Sequence, residues 1–352
     1  MTPNPYLCSS KTTTPLSIRL FQFLLIFLCA TACAPERDNM PIAFYHWKSR
    51  LQLSDSTVQQ LQQLGAGRLY VKYMDVDLEG GRAVPKAGIR LSGDAYRNFE
   101  IVPCVFITNR SFQSGLPPEQ LAEQIWKYLQ AVNTEAGVTP REYQFDCDWS
   151  PGTQQAYFDF LRHIRRRSGP ATLSATIRLH QYRYPEQTGI PPVDHGSLMF
   201  YNMGDIEDVK EPNSILNNAT AERYLTGAAP YALPLDIALP LFSWTLVYRL
   251  GELHLILPNT SEAELAALPG VQKTDKHRYR VQQNLYFGGQ YLNTGDVLRH
   301  EAPGRDALLR AARQLQPIAN DRSKILFYHL DEHTLDQFPP DFLLELRAAL
   351  SR

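Results

Sequence analysis

Eight short apolar runs, rich in β-branched and aromatic residues, recur along this chain and alternate with amphipathic stretches. They span residues 42–47, 68–74, 101–108, 143–149, 173–179, 197–203, 237–244 and 324–330. Runs apolar at almost every position mark strands buried on both faces, as in a parallel sheet covered by helices. The stretches between them carry helical periodicity. Ser54-Asp55 can cap Thr57–Leu64, and Pro117–Ala136 places Leu121, Ile125, Tyr128 and Leu129 on one stripe. Gln154–Arg167 repeats Tyr157, Phe160, Leu161 and Ile164 and is stopped by Gly169-Pro170, while Pro303–Leu315 and Pro339–Leu350 repeat the signature. Eight strand–helix units in about 300 residues predict an α/β chain closed into a (β/α)8 TIM barrel over residues 41–352. The alternative, an open doubly wound sheet, typically has a Gly-rich first turn, and none follows Trp47.

One connection breaks the rhythm. After the seventh run, residues 249–302 separate strand from helix, far beyond the usual short link. This segment has its own strand-like pieces at 254–257, 278–281 and 284–287, and turn signals at Gly288-Gly289 and Asn293-Thr294-Gly295. It predicts a small α+β insertion at the barrel's mouth.

The N-terminus reads as an address. Lys11 and Arg19 precede an apolar run, Leu20–Leu28, that is short for a membrane span and ends in small residues. Residues 1–32 are therefore expected to be a signal peptide, with 33–40 a polar tether. Ala30-Thr31-Ala32-Cys33 resembles a bacterial lipobox, with Ala30 in place of the usual Leu. That resemblance implies lipidation of Cys33 and attachment of an exported protein to the cell membrane by lipid alone. Plain secretion after cleavage near Ala32 is the alternative. Cys8 and Cys29 leave with the signal, so Cys104 and Cys147 remain, both within apolar runs and expected as buried free thiols. No Cys/His spacing suggests zinc, and neither metal nor cofactor is expected. With 35 basic and 36 acidic side chains, the net charge of -1 argues against a nucleic-acid partner.

In a barrel, chemistry collects where the strands end, because the loops there share one crater. Those ends carry His46, Trp47, Lys72, Asp75, Asn109, Asp146, Asp148, Trp149, Arg178, His180, Tyr201, Asn202, Trp244, His329, Asp331 and Glu332. Asp146 and Asp148 are two apart, so on a strand they share a face. Two carboxylates in one crater repel, and one should have a raised pKa. Such a pair suits divided acid and base roles, and equally a structural one. Arg178 is placed to neutralise it. His180 alternates with Arg178 and reads as a sugar hydrogen-bonder, a base or a buried core histidine. Lys72 reads as a carboxylate's counter-ion or as a surface lysine. Trp47, Trp149 and Trp244 can stack on sugars or plug the barrel as core.

Asp146-Cys147-Asp148-Trp149 resembles most of the signature strand of glycoside hydrolase family 18, the chitinase-like barrels. Met199-Phe200-Tyr201-Asn202 is similar to that family's sixth strand, and Ala238–Trp244 to its seventh, with an insertion following. Together these cover Tyr143–Trp244 and the insertion. The chain also resembles a family of bacterial lipoproteins of unknown function, in its stretches at 146–149 and 178–181. The first resemblance implies a glycan or polysaccharide ligand, with Asp148 orienting the sugar's acetamido group and Tyr201 bonding its oxygen. Ser150 stands where that family has its acid glutamate. Loss of a positioned acid removes about 10²–10⁴-fold of rate. Hydrolysis would then need a substitute acid, with Glu332, Asp331 and Asp75 the candidates. Two functions follow: a membrane-anchored, carboxylate-based glycoside hydrolase, catalytic through Asp146, Asp148, Tyr201 and Glu332, or a carbohydrate-binding barrel that has lost catalysis. In either, Trp47, Trp149, Arg178, His180, Asn202 and Trp244 are the expected sugar contacts. A protein-interaction scaffold, its mouth closed by the insertion, is a third.

Overall fold

The computed structural model describes residues 40–351. The expected signal peptide, the Cys33 lipidation site and nearly all of the tether lie outside the described residues. Eight parallel strands form the barrel: β1 (Ile42–His46), β2 (Arg68–Glu79), β3 (Glu100–Ile107), β4 (Glu142–Asp146), β5 (Thr172–Arg178), β6 (His195–Met199), β7 (Leu235–Pro240) and β8 (Ile325–Tyr328). Each pairs with its neighbour in chain order, and β1 pairs with both β2 and β8, with Ala43 opposite Arg68 and Ile42 opposite Ile325. The sheet is therefore closed, as the eight apolar runs predict.

Helices α1 (Asp55–Gln63), α2 (Pro118–Ala136), α3 (Gln154–Ser168), α4 (Asn218–Leu225), α5 (Arg305–Leu315) and α6 (Pro340–Ser351) accompany the strands. Local chemistry sets their ends. The Ser54 hydroxyl accepts the Thr57 N–H at 3.2 Å at the start of α1. Gly137, with φ 64°, takes the left-handed conformation that ends α2.

Strand β4 shows how the barrel divides its side chains. Tyr143 packs outward on Trp126 of α2 and Phe145 on Phe160 of α3, with ring centroids 4.9 and 5.3 Å apart. Glu142, Gln144 and Asp146 alternate with them and point inward. At mid-height Gln144 accepts the Tyr45 hydroxyl (2.8 Å) and donates to Ser197 (3.0 Å), crossing the barrel from β1 to β6.

The N-terminal end of the barrel is a closed charge network. His195, the first residue of β6, lies 3.2 Å from Glu142 and 3.2 Å from Asp236. Lys324 reaches Asp236 at 2.8 Å, and Arg68 bridges Glu142 and Glu100 at 2.8 and 2.9 Å. Burial alone would raise the Glu142 carboxyl, but hydrogen bonding to His195 and the charges of His195 and Lys324 bring it down to about 2. Burial likewise disfavours a charged His195, yet Asp236 and Glu142 hold its imidazole up at about 9.

Between β7 and α5 lies a second, antiparallel sheet. Its strands run in the order Glu252–Pro258, Trp244–Arg249, Val297–Glu301, Arg278–Val281, Val271–Asp275. A helix (Glu262–Ala267) and a hairpin (Leu285–Phe287 with Gln290–Leu292) cover one face over a separate core that includes Val247, Leu257, Tyr279 and Leu298. The sheet starts at Trp244, because β7 stops at Pro240 and the chain turns through Leu241–Ser243. Among the described residues no helix is long and apolar enough to cross a membrane, and Cys104 and Cys147 are buried free thiols.

Candidate functional site

Asp146 is the last residue of β4 and only 4% exposed. It accepts the Thr176 hydroxyl of β5 at 2.6 Å. Burial, then the nearby Asp148 charge, push its carboxyl up to about 6 against the opposing pull of Arg178 and Thr176. Asp148 lies beyond the strand, its side chain 44% exposed. Arg178, which ends β5, grips both Asp148 oxygens, Nε on Oδ1 and Nη2 on Oδ2, the latter at 2.7 Å. This two-pronged pairing is the strong geometry for arginine and carboxylate. One guanidinium thus faces two carboxylates, and the inner one carries the raised affinity for a proton.

Aromatic rings build the rest of the mouth. Tyr201 follows β6, is buried, and stacks on Tyr328 of β8 with centroids 5.0 Å apart. Trp47 leans on Tyr45 and Tyr328 at 5.6 and 5.7 Å, and the Lys72 ammonium lies 5.8 Å from its ring. Lys72 itself pairs with Asp75 at 2.9 Å. Phe242 sits edge-on to Trp244 at 5.2 Å. Trp47, Asn202, Phe242, Trp244, Asn259 and Tyr328 line a cleft of about 360 Å³, which Lys48, Ser243, Pro258 and His329 complete. Asn202 presents itself there from a left-handed backbone, φ 53°.

Several expectations are corrected by where the strands end. Trp149 is not a sugar platform: it is 1% exposed, stacks on Tyr157 of α3 at 5.3 Å, and donates its indole N–H to the Thr188 carbonyl at 2.7 Å. The cause is that β4 ends at Asp146, so strand alternation no longer applies three residues later. His180 does not share a strand face with Arg178. It lies exposed on a short helix, Leu179–Arg183, whose start is fixed by the Gln181 side chain accepting the Arg178 N–H at 2.8 Å. Ser150 belongs to the turn into α3, bonded through its hydroxyl to Asn109 (3.2 Å) and Thr153 (3.2 Å). Glu332 is exposed and lines a second cleft of about 360 Å³ with His46, Lys48, Arg50 and Asp331, apart from the Asp146–Asp148 pair. Asp331 is paired with Lys48.

Phe242 and Tyr328 also wall the cleft, and as apolar or aromatic residues near the ends of their runs they carry no polar signal that marks them for a site. Glu301 receives the Trp244 indole N–H at 2.8 Å from the far end of the insertion. No local sequence signal links residues 57 positions apart.

No family model matches the chain, and no curated protein matches it. Solved structures do. The spore cortex-lytic enzyme SleL of Bacillus megaterium QM B1551 is similar at 14% identity and a TM-score of 0.56, over 89% of this chain and 75% of that one. SleL of Bacillus cereus gives 14% and 0.51, over 88% and 74%. A chitinase of Chromobacterium violaceum ATCC 12472 gives 12% and 0.53, over 88% and 98%. At such identities the likeness establishes one thing, a shared (β/α)8 barrel.

Proposed function

We propose that this barrel binds a glycan of the chitin or cell-wall type at its mouth and does not cleave it by the substrate-assisted route. One observation carries the reading: the carboxylates at the mouth are neutralised or withdrawn while the aromatic cleft beside them stays open. Asp148 is held by Arg178, Asp75 by Lys72 and Asp331 by Lys48, and Asp146 is buried. Ser150 offers a hydroxyl where a carboxylic acid would be needed, and it is committed to Asn109 and Thr153. Trp47 and Trp244 remain half-exposed, as sugar stacking requires. The shared barrel of a chitinase and of spore cortex-lytic enzymes supports a glycan as the ligand class. In this reading Tyr201, Asn202 and Arg178 supply polar contacts and His180 sits at the rim.

A second reading, hydrolysis, is favoured by one feature. Asp146, pushed up to about 6, holds a proton over part of the acidic-to-neutral range and is able to act as an acid. Calorimetry and product analysis with chito-oligosaccharides and cell-wall glycan strands separate the two. Binding with no released sugar, weakened by Trp47→Ala, is the expected result. Turnover abolished by Asp146→Asn would replace this reading by the second.

We also propose that a lipidated Cys33 anchors the protein to the cell membrane. Met40 leads into β1 at the barrel's base, seven residues after Cys33 in the sequence. Cys33→Ser is expected to move the protein from the membrane fraction to the soluble one.

A further inference from the structure

The insertion sheet turns one face toward the loop that follows β6. Trp244 pairs across the sheet with Glu301, Leu246 with Arg299, and Arg299 with Arg278, so Trp244, Tyr248, Arg278, Arg299 and Glu301 share that face. Each of the last four holds the loop by a backbone atom. Tyr248 donates to the Ile206 carbonyl (2.6 Å), Arg278 to that of Val209 (2.9 Å), and Arg299 to that of Asp208 (2.5 Å). Glu301, 1% exposed, accepts the Ser214 N–H (3.0 Å) and hydroxyl (2.5 Å). The same oxygen, Oε2, accepts the Trp244 indole N–H at 2.8 Å, while Oε1 pairs with Arg299 at 2.7 Å.

We propose that Glu301 is a positioning residue for the cleft. It fixes the plane of the Trp244 ring and ties that ring to the loop carrying Asn202, so two walls contributed by separate segments are set by one buried carboxylate. An indole has a single polar atom, and a ring offered to a ligand from a half-buried position is oriented by whatever holds that atom. What the cleft takes rests on the glycan reading above; the positioning itself does not.

The test is a double-mutant cycle on the full chain labelled with 5-fluorotryptophan. The four tryptophans, 47, 126, 149 and 244, give four fluorine resonances, and Trp244→Phe identifies the one that matters. Glu301→Gln is expected to move the Trp244 resonance and leave those of Trp126 and Trp149 in place. Glu301→Gln, which replaces the charged acceptor by a neutral amide, and Trp244→Phe, which removes the donor, should each weaken binding of an N-acetylglucosamine hexamer about 10-fold, and the double variant no further, because both act through the same Trp244–Glu301 contact. An unmoved Trp244 resonance, or a double variant weakened by the product, about 100-fold, overturns the proposal. Trp244→Phe leaves Glu301 its bonds to Ser214 and Arg299, so it folds even if Glu301→Gln does not. If it then binds like the unaltered chain, the proposal is equally overturned. Failure of the unaltered chain to bind the hexamer removes the glycan reading, while the resonance shift still decides the role of Glu301.

Discussion

Glu142 and Asp146 stand four residues apart on the same face of one strand, both buried, and their carboxyls are shifted in opposite directions. At the base, Glu142 meets His195 and Arg68 directly, with Lys324 close by, and is held down at about 2. At the mouth, Asp146 shares a single Arg178 with Asp148 and is pushed up to about 6. Desolvation acts on both; the number of cations available decides the sign. The base therefore stabilises the fold. The mouth carries an unbalanced charge that a purely structural design would avoid, as expected where a site interacts with something outside the protein.

The largest expected effect is at the base. His195→Ala leaves Glu142 and Asp236 buried without the cation between them, which should cost about 3–5 kcal/mol in denaturant unfolding at pH 7. The shifts of Glu142 and His195 express one interaction and are counted once. Because the folded His195 pKa is raised to about 9, its stabilisation is complete below the unfolded value, about 6.5, and is lost as pH rises through 9. Because the folded Glu142 pKa is lowered to about 2, its share is complete above the unfolded value near 4.5 and is lost as pH falls through 2. A His195→Ala penalty as large at pH 10 as at pH 6 would mean that packing, and not charge, holds the base.

Next comes a substitution expected to stabilise. The Asp146 pKa is raised from 3.8 to about 6, so ionising this group works against folding. That cost is complete above pH 6 and vanishes as pH falls below 3.8. Asp146→Asn removes it and can keep the Thr176 bond, so unfolding at pH 7.5 should be harder by about 2–3 kcal/mol. The gain over the unaltered chain should shrink as pH is lowered to 4. A gain that persists at pH 4 would show that Asp146 is not the unbalanced charge, and the contrast between the two ends would fail.

These two ends were unequally legible in the sequence. The barrel could be read because eight apolar runs need a sheet covered on both sides, and closure satisfies all of them. The Asp146–Asp148 pair and Arg178 could be read because alternation on β4 and β5 carries side chains to one crater. Trp149 and His180 were misplaced because the apolar runs continue past the last strand hydrogen bond, so periodicity overshot β4 by three residues and β5 by two. The base network had a readable signal: Arg68, Glu100, Glu142 and His195 each open a strand, and Lys324 immediately precedes one. Who pairs with whom there depends on which strands lie side by side, and that requires the closed sheet. The bond from Glu301 to Trp244 depends in the same way on the register of the insertion.

The smallest expected effect tests whether the mouth extends to the next cleft. Glu332 opens a six-residue helix, Glu332–Gln337, and is exposed beside Lys48 and Arg50. Glu332→Gln removes one solvated charge near a helix N-terminus and should change stability by less than about 0.5 kcal/mol. If the acid function is absent, glycan affinity should also stay within about twofold, a change of roughly 0.4 kcal/mol. Glu332 was a reasonable candidate because it follows β8 and every strand end feeds the same crater in an idealised barrel. Here the crater is divided: Lys48 lines both clefts, and Asp331, the residue beside Glu332, is already paired with Lys48. Should a chromogenic chitobioside assay detect turnover that Glu332→Gln abolishes, that division would have to open in the working protein, and the mouth would be a catalytic site with its acid supplied from β8.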